Sequence, residues 1–395
     1  MRILFLTHRL PYAPNRGDRV RAYHLLRHLR TFADVDLISL VHDDDEAAHA
    51  DDLRGVVTTV TAVRAPRVRN LARSALALGT SRPLSHVMLD GPDLHPAVER
   101  VVSAHRPDVV FAFCTGIAHV VVRPPLDPVP LVLDMVDVDS AKWAALAASS
   151  RAPRSWIYAR EARLLAGFEA MIAARAAATL VTTEAEREAL RALAPDARIE
   201  VVENGVDASS LEPNAPPSAS QTVVFCGVMN YPPNEEGAVW LAQEVWPRVR
   251  QARPDARLEL VGSFPTPRVQ QLANPAAGVV VTGHVADVRP HLWRAAVAAA
   301  PLLTARGVQN KVLEAVAAGL PVVVTPAVDA GLPVEVRAAC RLADAPEAFA
   351  DALLDLLASA PSERRQVASR ADIASISWPR RLAPLESMLR GAVRR

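Results

Sequence analysis

Short continuous apolar runs alternate with longer stretches of helical periodicity from residue 1 to about 195. That alternation predicts βαβ units on a parallel sheet covered on both faces. Strands are expected at Ile3–Thr7, Asp34–Leu40, Val56–Ala62, Asp108–Phe113, Leu131–Met135 and Thr179–Thr182, with a helix at Arg19–Leu29. Between 195 and 220 the pattern gives way to Ala194-Pro195, the turn pair Asn204-Gly205, and Pro213, Pro216 and Pro217 among serine and alanine. A domain boundary is placed there, giving a first domain over 1–195. A second βα series follows over 196–370. Its strands are expected at Thr222–Cys226, Arg257–Val261, Val279–Thr282, Val297–Leu302 and Pro321–Thr325, and its helices near Asn234–Ala252 and Val308–Ala318. Residues 345–373 are helical in pattern, and Ser377-Trp378-Pro379 opens a last segment. The fold class is α/β, with two doubly wound domains and a cleft between them in which a small ligand would sit.

Composition removes several functional classes. Half of the 395 residues are hydrophobic and 22% are charged, which is ordinary for globular domains and excludes wholesale disorder. Forty-four basic residues face 43 acidic ones, so no global field is present to hold a polyanion, and nucleic acid is not an expected partner. The three cysteines, Cys114, Cys226 and Cys340, lie far apart beside apolar runs and are read as buried thiols in a reducing cytoplasm. The apolar start at Met1–Leu6 stops at Thr7-His8-Arg9, short of a signal peptide, and no window reaches the ~18 residues that span a bilayer. A cytoplasmic protein is expected, at most peripheral to the inner membrane. Lysine is nearly absent, only Lys142 and Lys311 occurring against an arginine background. Each is therefore a place where a compact ammonium matters in its own right.

The strongest candidate chemistry is Arg306-Gly307-Val308-Gln309-Asn310-Lys311-Val312-Leu313-Glu314, between an apolar strand and a helix. A strand, tight loop and helix start present backbone N–H groups and the positive end of a helix dipole to a phosphate. Lys311 and Glu314 are three residues apart and share a helix face, where an ammonium meets a diphosphate and a carboxylate accepts hydrogen bonds from ribose hydroxyls. The same spacing also suits an ordinary ion pair on a solvated helix.

The run Lys311-Val312-Leu313-Glu314-Ala315-Val316-Ala317-Ala318-Gly319-Leu320-Pro321-Val322-Val323 resembles the carboxyl-domain signature of GT-B glycosyltransferases, specifically retaining family four. Supporting motifs stand in the same order: Val202-Glu203-Asn204-Gly205-Val206-Asp207, Val224-Phe225-Cys226-Gly227, Leu258-Glu259-Leu260-Val261-Gly262 and Val281-Thr282-Gly283-His284-Val285. The amino-terminal half is similar more loosely, through Leu6-Thr7-His8-Arg9 and a loop from Pro11 to Arg16 ending in Gly17-Asp18-Arg19. Val136-Asp137-Val138-Asp139-Ser140-Ala141-Lys142-Trp143 and Met229-Asn230-Tyr231-Pro232-Pro233-Asn234 are similar to a bacterial sugar-transferase branch associated with exopolysaccharide and exosortase systems.

The resemblance implies a GT-B fold of two Rossmann-like domains, a nucleotide-diphosphate sugar as donor, and a segment at 371–395 that returns to the first domain. It implies that Glu314 binds the ribose and that amides at Gly307, Val308 and Gln309 face the diphosphate and sugar. Gly227, Gly283, His284 and Val285 would line the nucleotide, Gly17 would let a first-domain loop approach the phosphates, and Asp137 would stand near sugar and acceptor. The family's E-x7-E begins with a glutamate where this chain has Arg306, and the Arg and Lys that often follow the glycine of the first second-domain strand are Val228, Met229 and Asn230 here. Arg306 and Lys311 are expected to supply the missing positive charge as catalytic groups, since a departing diphosphate needs cations already in place. Val136 stands where many members carry a histidine, so no general base is assigned. The acceptor is a glycan, which a lipid carrier would hold, or a small metabolite hydroxyl. A nucleotide-sugar epimerase and a non-catalytic sugar-nucleotide-binding subunit are the alternatives. No cofactor or metal is expected. Finally, residues 63–86 carry Arg64, Arg67, Arg69, Arg73 and Arg82 with Val68, Leu71, Leu76 and Leu78 and no acidic residue, a composition suited to an anionic membrane surface or to a plain arginine-rich surface helix.

Overall fold

The computed structural model describes residues 1–12, 17–213, 218–305 and 307–394. It divides into two units, Met1–Glu203 with Leu382–Arg395, and Asn204–Arg381. The first is built on seven strands: β1 (Arg2–Thr7), β2 (Asp34–Val41), β3 (Thr59–Arg64), β4 (Val109–Phe113), β5 (Leu131–Val136), β6 (Ala178–Val181) and β7 (Ile199–Val201). Their order is β3-β2-β1-β4-β5-β6-β7, and every neighbouring pair is parallel. The second unit holds β8 (Thr222–Cys226), β9 (Arg257–Val261), β10 (Val279–Gly283), β11 (Val297–Ala300), β12 (Val322–Val324) and β13 (Cys340–Leu342). They lie in the order β10-β9-β8-β11-β12-β13, again all parallel. In each sheet the strand order reverses beside the first strand, between β1 and β4 and between β8 and β11. Loops leaving the carboxyl ends of those pairs diverge and open a crevice, where ligands of doubly wound sheets bind.

Continuous apolar runs make these strands because helices cover both sheet faces. All five residues of β4 are buried, as are Val223, Val224 and Phe225 of β8. Register in the first sheet is pinned by a polar contact as well: Thr59 Oγ1 donates to Asp36 Oδ1 at 2.6 Å, opposite its partner on β2. That contact starts β3 at Thr59, three residues after the expected Val56, which lies in the preceding turn.

The long helix expected over Asn234–Ala252 is interrupted. It runs Pro232–Trp240, opens into a π turn at Leu241–Val245 and resumes at Trp246–Ala252. Pro247 explains the break, because it has no N–H and its ring crowds the carbonyl one turn back. Strands β7 and β13, three residues each at the sheet edges, carry too short a pattern to be expected from sequence. The cysteines depart from the expectation of buried thiols, all three being half-buried. Cys114 follows β4 and Cys226 ends β8, so both stand where the chain leaves the core.

Candidate functional site

At the switch point of the second sheet, the chain leaves β8 at Cys226-Gly227, and β11 feeds a loop that enters the helix Asn310–Ala317. Gly307 takes a left-handed φ of 63°, a conformation open to glycine at little cost, and Gln309 in extended conformation begins the helix. Val312 and Leu313 point inward and are buried, which leaves Lys311 and Glu314 on the face turned to the crevice. The two turns beneath the site interlock. A Cβ on Gly262, which has φ +154°, would lie 1.7 Å from the Gly227 carbonyl oxygen.

Lys311 and Glu314 do not pair with each other. Lys311 Nζ donates to Asn234 Oδ1 at 2.5 Å and stands 5.0 Å from the centroid of the Phe225 ring, a cation over an aromatic face. Asn234 is itself fixed, since its Nδ2 donates to the Val228 carbonyl at 2.9 Å. Burial pushes the Lys311 pKa down to about 8, with Cys226 and Glu314 opposing the shift. Burial likewise pushes Glu314 up to about 7, with Lys311 opposing. Among the described residues, none donates a hydrogen bond to the Glu314 carboxylate. Two groups held near neutrality by desolvation, close in pKa and on one helix face, differ from a solvated surface ion bridge and make this the candidate site. Cys226, at the end of β8, is raised to about 12 by burial and by Glu314, with Lys311 opposing, so its thiol stays neutral.

In the first unit, the loop after β5 is held by three carboxylates on alternate residues. Asp134 Oδ1 accepts from the Val136 amide at 3.2 Å, Glu186 Oε2 from the Val138 amide at 2.7 Å, and Glu169 Oε1 from the Ser140 amide at 3.1 Å. Glu169 also accepts from Ser140 Oγ. Asp134 is tied to buried Arg21 on helix Gly17–Leu29, Nε to Oδ2 at 2.9 Å. Burial pushes Asp134 up against the pull of Arg21, and pushes Glu169 up to about 7 against its bonds to Ser140. The clamped backbone is strained. Val136 has φ 67°, a genuine outlier for a β-branched residue, and Cys114 at the end of neighbouring β4 has φ 70°. Strain of this kind persists where surrounding structure over-determines it, and it gathers at functional sites. The clamp presents Asp137 and Asp139, bridged by Lys142 Nζ at 2.8 and 3.2 Å. Burial works against the Lys142 charge, but Asp139 and Asp137 outweigh it and raise its pKa.

The remaining expected residues fall as follows. Gly227 and Lys311 lie together through Asn234, which a Cβ on Gly227 would meet at 2.8 Å. Gly283 ends β10 with φ 70° after a bulge, followed by exposed His284 and by Val285 packed on the core edge. Val308 also rests on that core edge. Gly17 opens the first-unit helix Gly17–Leu29. Arg306 lies outside the described residues, as does most of the Pro11–Arg16 loop. Among the described residues no three His, Cys, Asp or Glu side chains gather where they could hold a metal. Sequence reasoning missed Asn234 as the partner of Lys311, and Glu169, Glu186 and Asp134 as the loop clamp. The lysine scarcity was the one usable signal, since both lysines turn out to make specific contacts.

Comparison with known proteins follows the same division. A glycosyl transferase 4-like domain model matches residues 16–205, and a glycosyl transferases group 1 model matches 220–359. No curated protein matches in sequence. Among solved structures, sucrose-phosphate synthase from Thermosynechococcus elongatus aligns with a TM-score of 0.71 at 17% identity, covering 99% of this chain and 98% of its own. Anabaena HepE in complex with UDP and glucose aligns at 0.67 and 16% identity, covering 99% of each. WaaG, a glycosyltransferase involved in lipopolysaccharide biosynthesis, aligns at 0.62 and 15%, covering 97% of this chain and 99% of its own. The fold is GT-B.

Proposed function

We propose, for a chain that belongs to the group 1 glycosyltransferases, that its second unit binds a nucleotide-diphosphate sugar and that it moves the sugar to a hydroxyl acceptor with retention of configuration. The observation that carries this reading is the desolvated, mutually unpaired Lys311 and Glu314 at the switch point of the second sheet. Glu314 accepts hydrogen bonds from the ribose hydroxyls, which relieves an otherwise unmatched carboxylate. Lys311, oriented by Asn234, neutralises the diphosphate as charge builds on it. Main chain at Gly307, Val308 and Gln309 and the positive end of the Asn310–Ala317 helix face the same phosphates. Gly283, His284 and Val285 run along the base through their main chain, and Gly227 sets the turn beneath it. UDP and UDP-glucose bound to HepE, a protein of this fold, support a nucleotide-sugar donor.

In the step itself, the bond from anomeric carbon to phosphate oxygen breaks as the acceptor oxygen bonds to the same face. The acceptor proton passes to the departing phosphate oxygen, so the protein needs no nucleophile and acts through positioning and electrostatics. We assign no metal to it, and Arg306 joins Lys311 in receiving the leaving charge. Asp137, held by Lys142 and the carboxylate clamp, stands on the acceptor side. The acceptor is a glycan of a bacterial surface or exported polysaccharide, or the hydroxyl of a small metabolite.

The pKa shifts set a pH test. A donor that prefers Glu314 ionised and Lys311 protonated binds best between about 7 and about 8. Affinity should fall by up to about tenfold per pH unit on either side. Calorimetric titration from pH 5 to 10 measures it, with a nucleotide sugar rather than a free nucleotide, because the esterified diphosphate does not titrate in that range. An affinity flat across the series would remove both residues from the donor site.

A further inference from the structure

Helix Arg67–Ala77 inverts the usual rule for a surface helix. Its buried positions are Asn70, Ser74 and Ala77, all polar or small. Its outward positions include Val68, Leu71 and Leu76, and Leu78 follows; these are 85%, 65%, 82% and 41% exposed. The inward face is fastened by hydrogen bonds, which fixes the orientation. Asn70 Nδ2 donates to the carbonyls of Met88 and Asp90 at 3.1 and 2.7 Å, and Arg160 Nη2 donates to those of Ala77 and Arg82 at 2.7 and 3.1 Å.

Charge frames the apolar arc. At about 100° per residue, Arg67 and Arg69 fall on its two borders. Both are exposed, and neither has a carboxylate within ion-pair distance among the described residues. Arg73 and Arg82 share Asp90, at 3.5 and 3.0 Å. No acidic residue occurs from Val63 to His86. Among the described residues no helix is long and apolar enough to cross a membrane, so any lipid contact made here is a surface contact.

We propose that this face docks on an anionic lipid bilayer, with Val68, Leu71 and Leu76 entering the acyl boundary and the bordering guanidiniums reaching headgroup phosphates. Long basic side chains at the edge of an apolar arc reach the headgroups while their stems stay with the apolar phase. A second copy of the chain fits poorly, because matching two such faces would set arginine against arginine. The proposal does not depend on the donor-site reading. It would hold the first unit at a surface where a lipid-carried acceptor is found.

Vesicle flotation of the full chain tests it, with phosphatidylglycerol–phosphatidylcholine vesicles against phosphatidylcholine alone. Binding to the anionic vesicles only, weakening as salt rises, is expected. Arg67→Gln with Arg69→Gln should lower the partition coefficient about 30-fold, about fivefold for each charge. Val68→Ser, Leu71→Ser and Leu76→Ser together should abolish binding while unchanged melting and nucleotide-sugar affinity show the fold intact. Wild-type protein that fails to float with anionic vesicles, or a triple variant that floats as well as wild type, overturns the proposal. So does a wild-type dimer that the serine variant dissociates in the absence of vesicle binding, which would assign the face to a second copy.

Discussion

Replacing Lys311 with alanine should lower turnover by about 10²- to 10³-fold, the scale seen when one preorganised donor to a developing anion is removed. The loss should fall mainly on kcat, because the charge Lys311 meets is larger on the departing diphosphate than on the bound donor. Folding should survive. Lys311 has no ion-pair partner among the described residues, and its pKa, lowered by burial to about 8, shows that the folded state disfavours its charge. A lysine whose folded pKa lies below its unfolded value is a burden wherever it is protonated. Its penalty is fully present below about pH 8 and disappears as pH rises towards 10.5. The alanine variant should therefore melt no lower than wild type at pH 7, and the wild type should gain on it as pH rises from 8 to 10. Glu314 behaves in the opposite sense. Its folded pKa is raised to about 7, so its contribution to stability is complete below 4.5 and is lost as pH rises through 7. Steady-state assays beside thermal melts separate the two effects. Near-normal turnover of a folded Lys311→Ala would mean that the leaving charge is met elsewhere.

Gly262→Ala should be the most destabilising single methyl in the second unit. The new Cβ would sit 1.7 Å from the Gly227 carbonyl oxygen, on a backbone at φ +154° that L side chains rarely adopt. Backbone, unlike the tip of a flexible side chain, cannot step aside, so the turns after β8 and β9 must separate. Overlap and strain together point to about 4 kcal/mol or more, the upper end for point substitutions. Domains have only about 5–15 kcal/mol in hand. At about 2–4 °C per kcal/mol, the second unit should melt about 10 °C lower. The same shift would displace Gly227 and with it Asn234, which touches that glycine and holds Lys311. Donor affinity should fall even where the protein stays folded. A melting point within 2 °C or so of wild type would show that the two turns are not locked together.

Much of the architecture was legible because parallel strands buried on both faces leave unbroken apolar runs. Expected strands Thr222–Cys226 and Arg257–Val261 coincide with β8 and β9. The chain fell outside that legibility where a local feature outweighed the pattern, as with the π turn before Pro247 and the late start of β3 opposite Asp36. Around the candidate site, periodicity put Lys311 and Glu314 on one helix face, but an ion pair and a desolvated, unpaired couple look the same in sequence. What distinguishes them is Asn234, 77 residues away along the chain. Two of the three carboxylates that clamp the β5 loop are also remote from it in sequence, Glu169 and Glu186 lying 29 and 48 residues from their partners. The helix Arg67–Ala77 was visible as basic and apolar, yet only the bonds of Asn70 and Arg160 reveal that its apolar side faces out.

The most direct measurement is calorimetric binding of UDP, GDP, ADP, CDP and TDP sugars to wild type and to Glu314→Ala. One nucleotide sugar should bind the wild type. The alanine variant, losing about 1.5–3 kcal/mol of hydrogen bonding to a charged group, should bind it about 10- to 150-fold more weakly. Equal affinity of the two proteins for the same sugar nucleotide would contradict a donor site at Lys311 and Glu314.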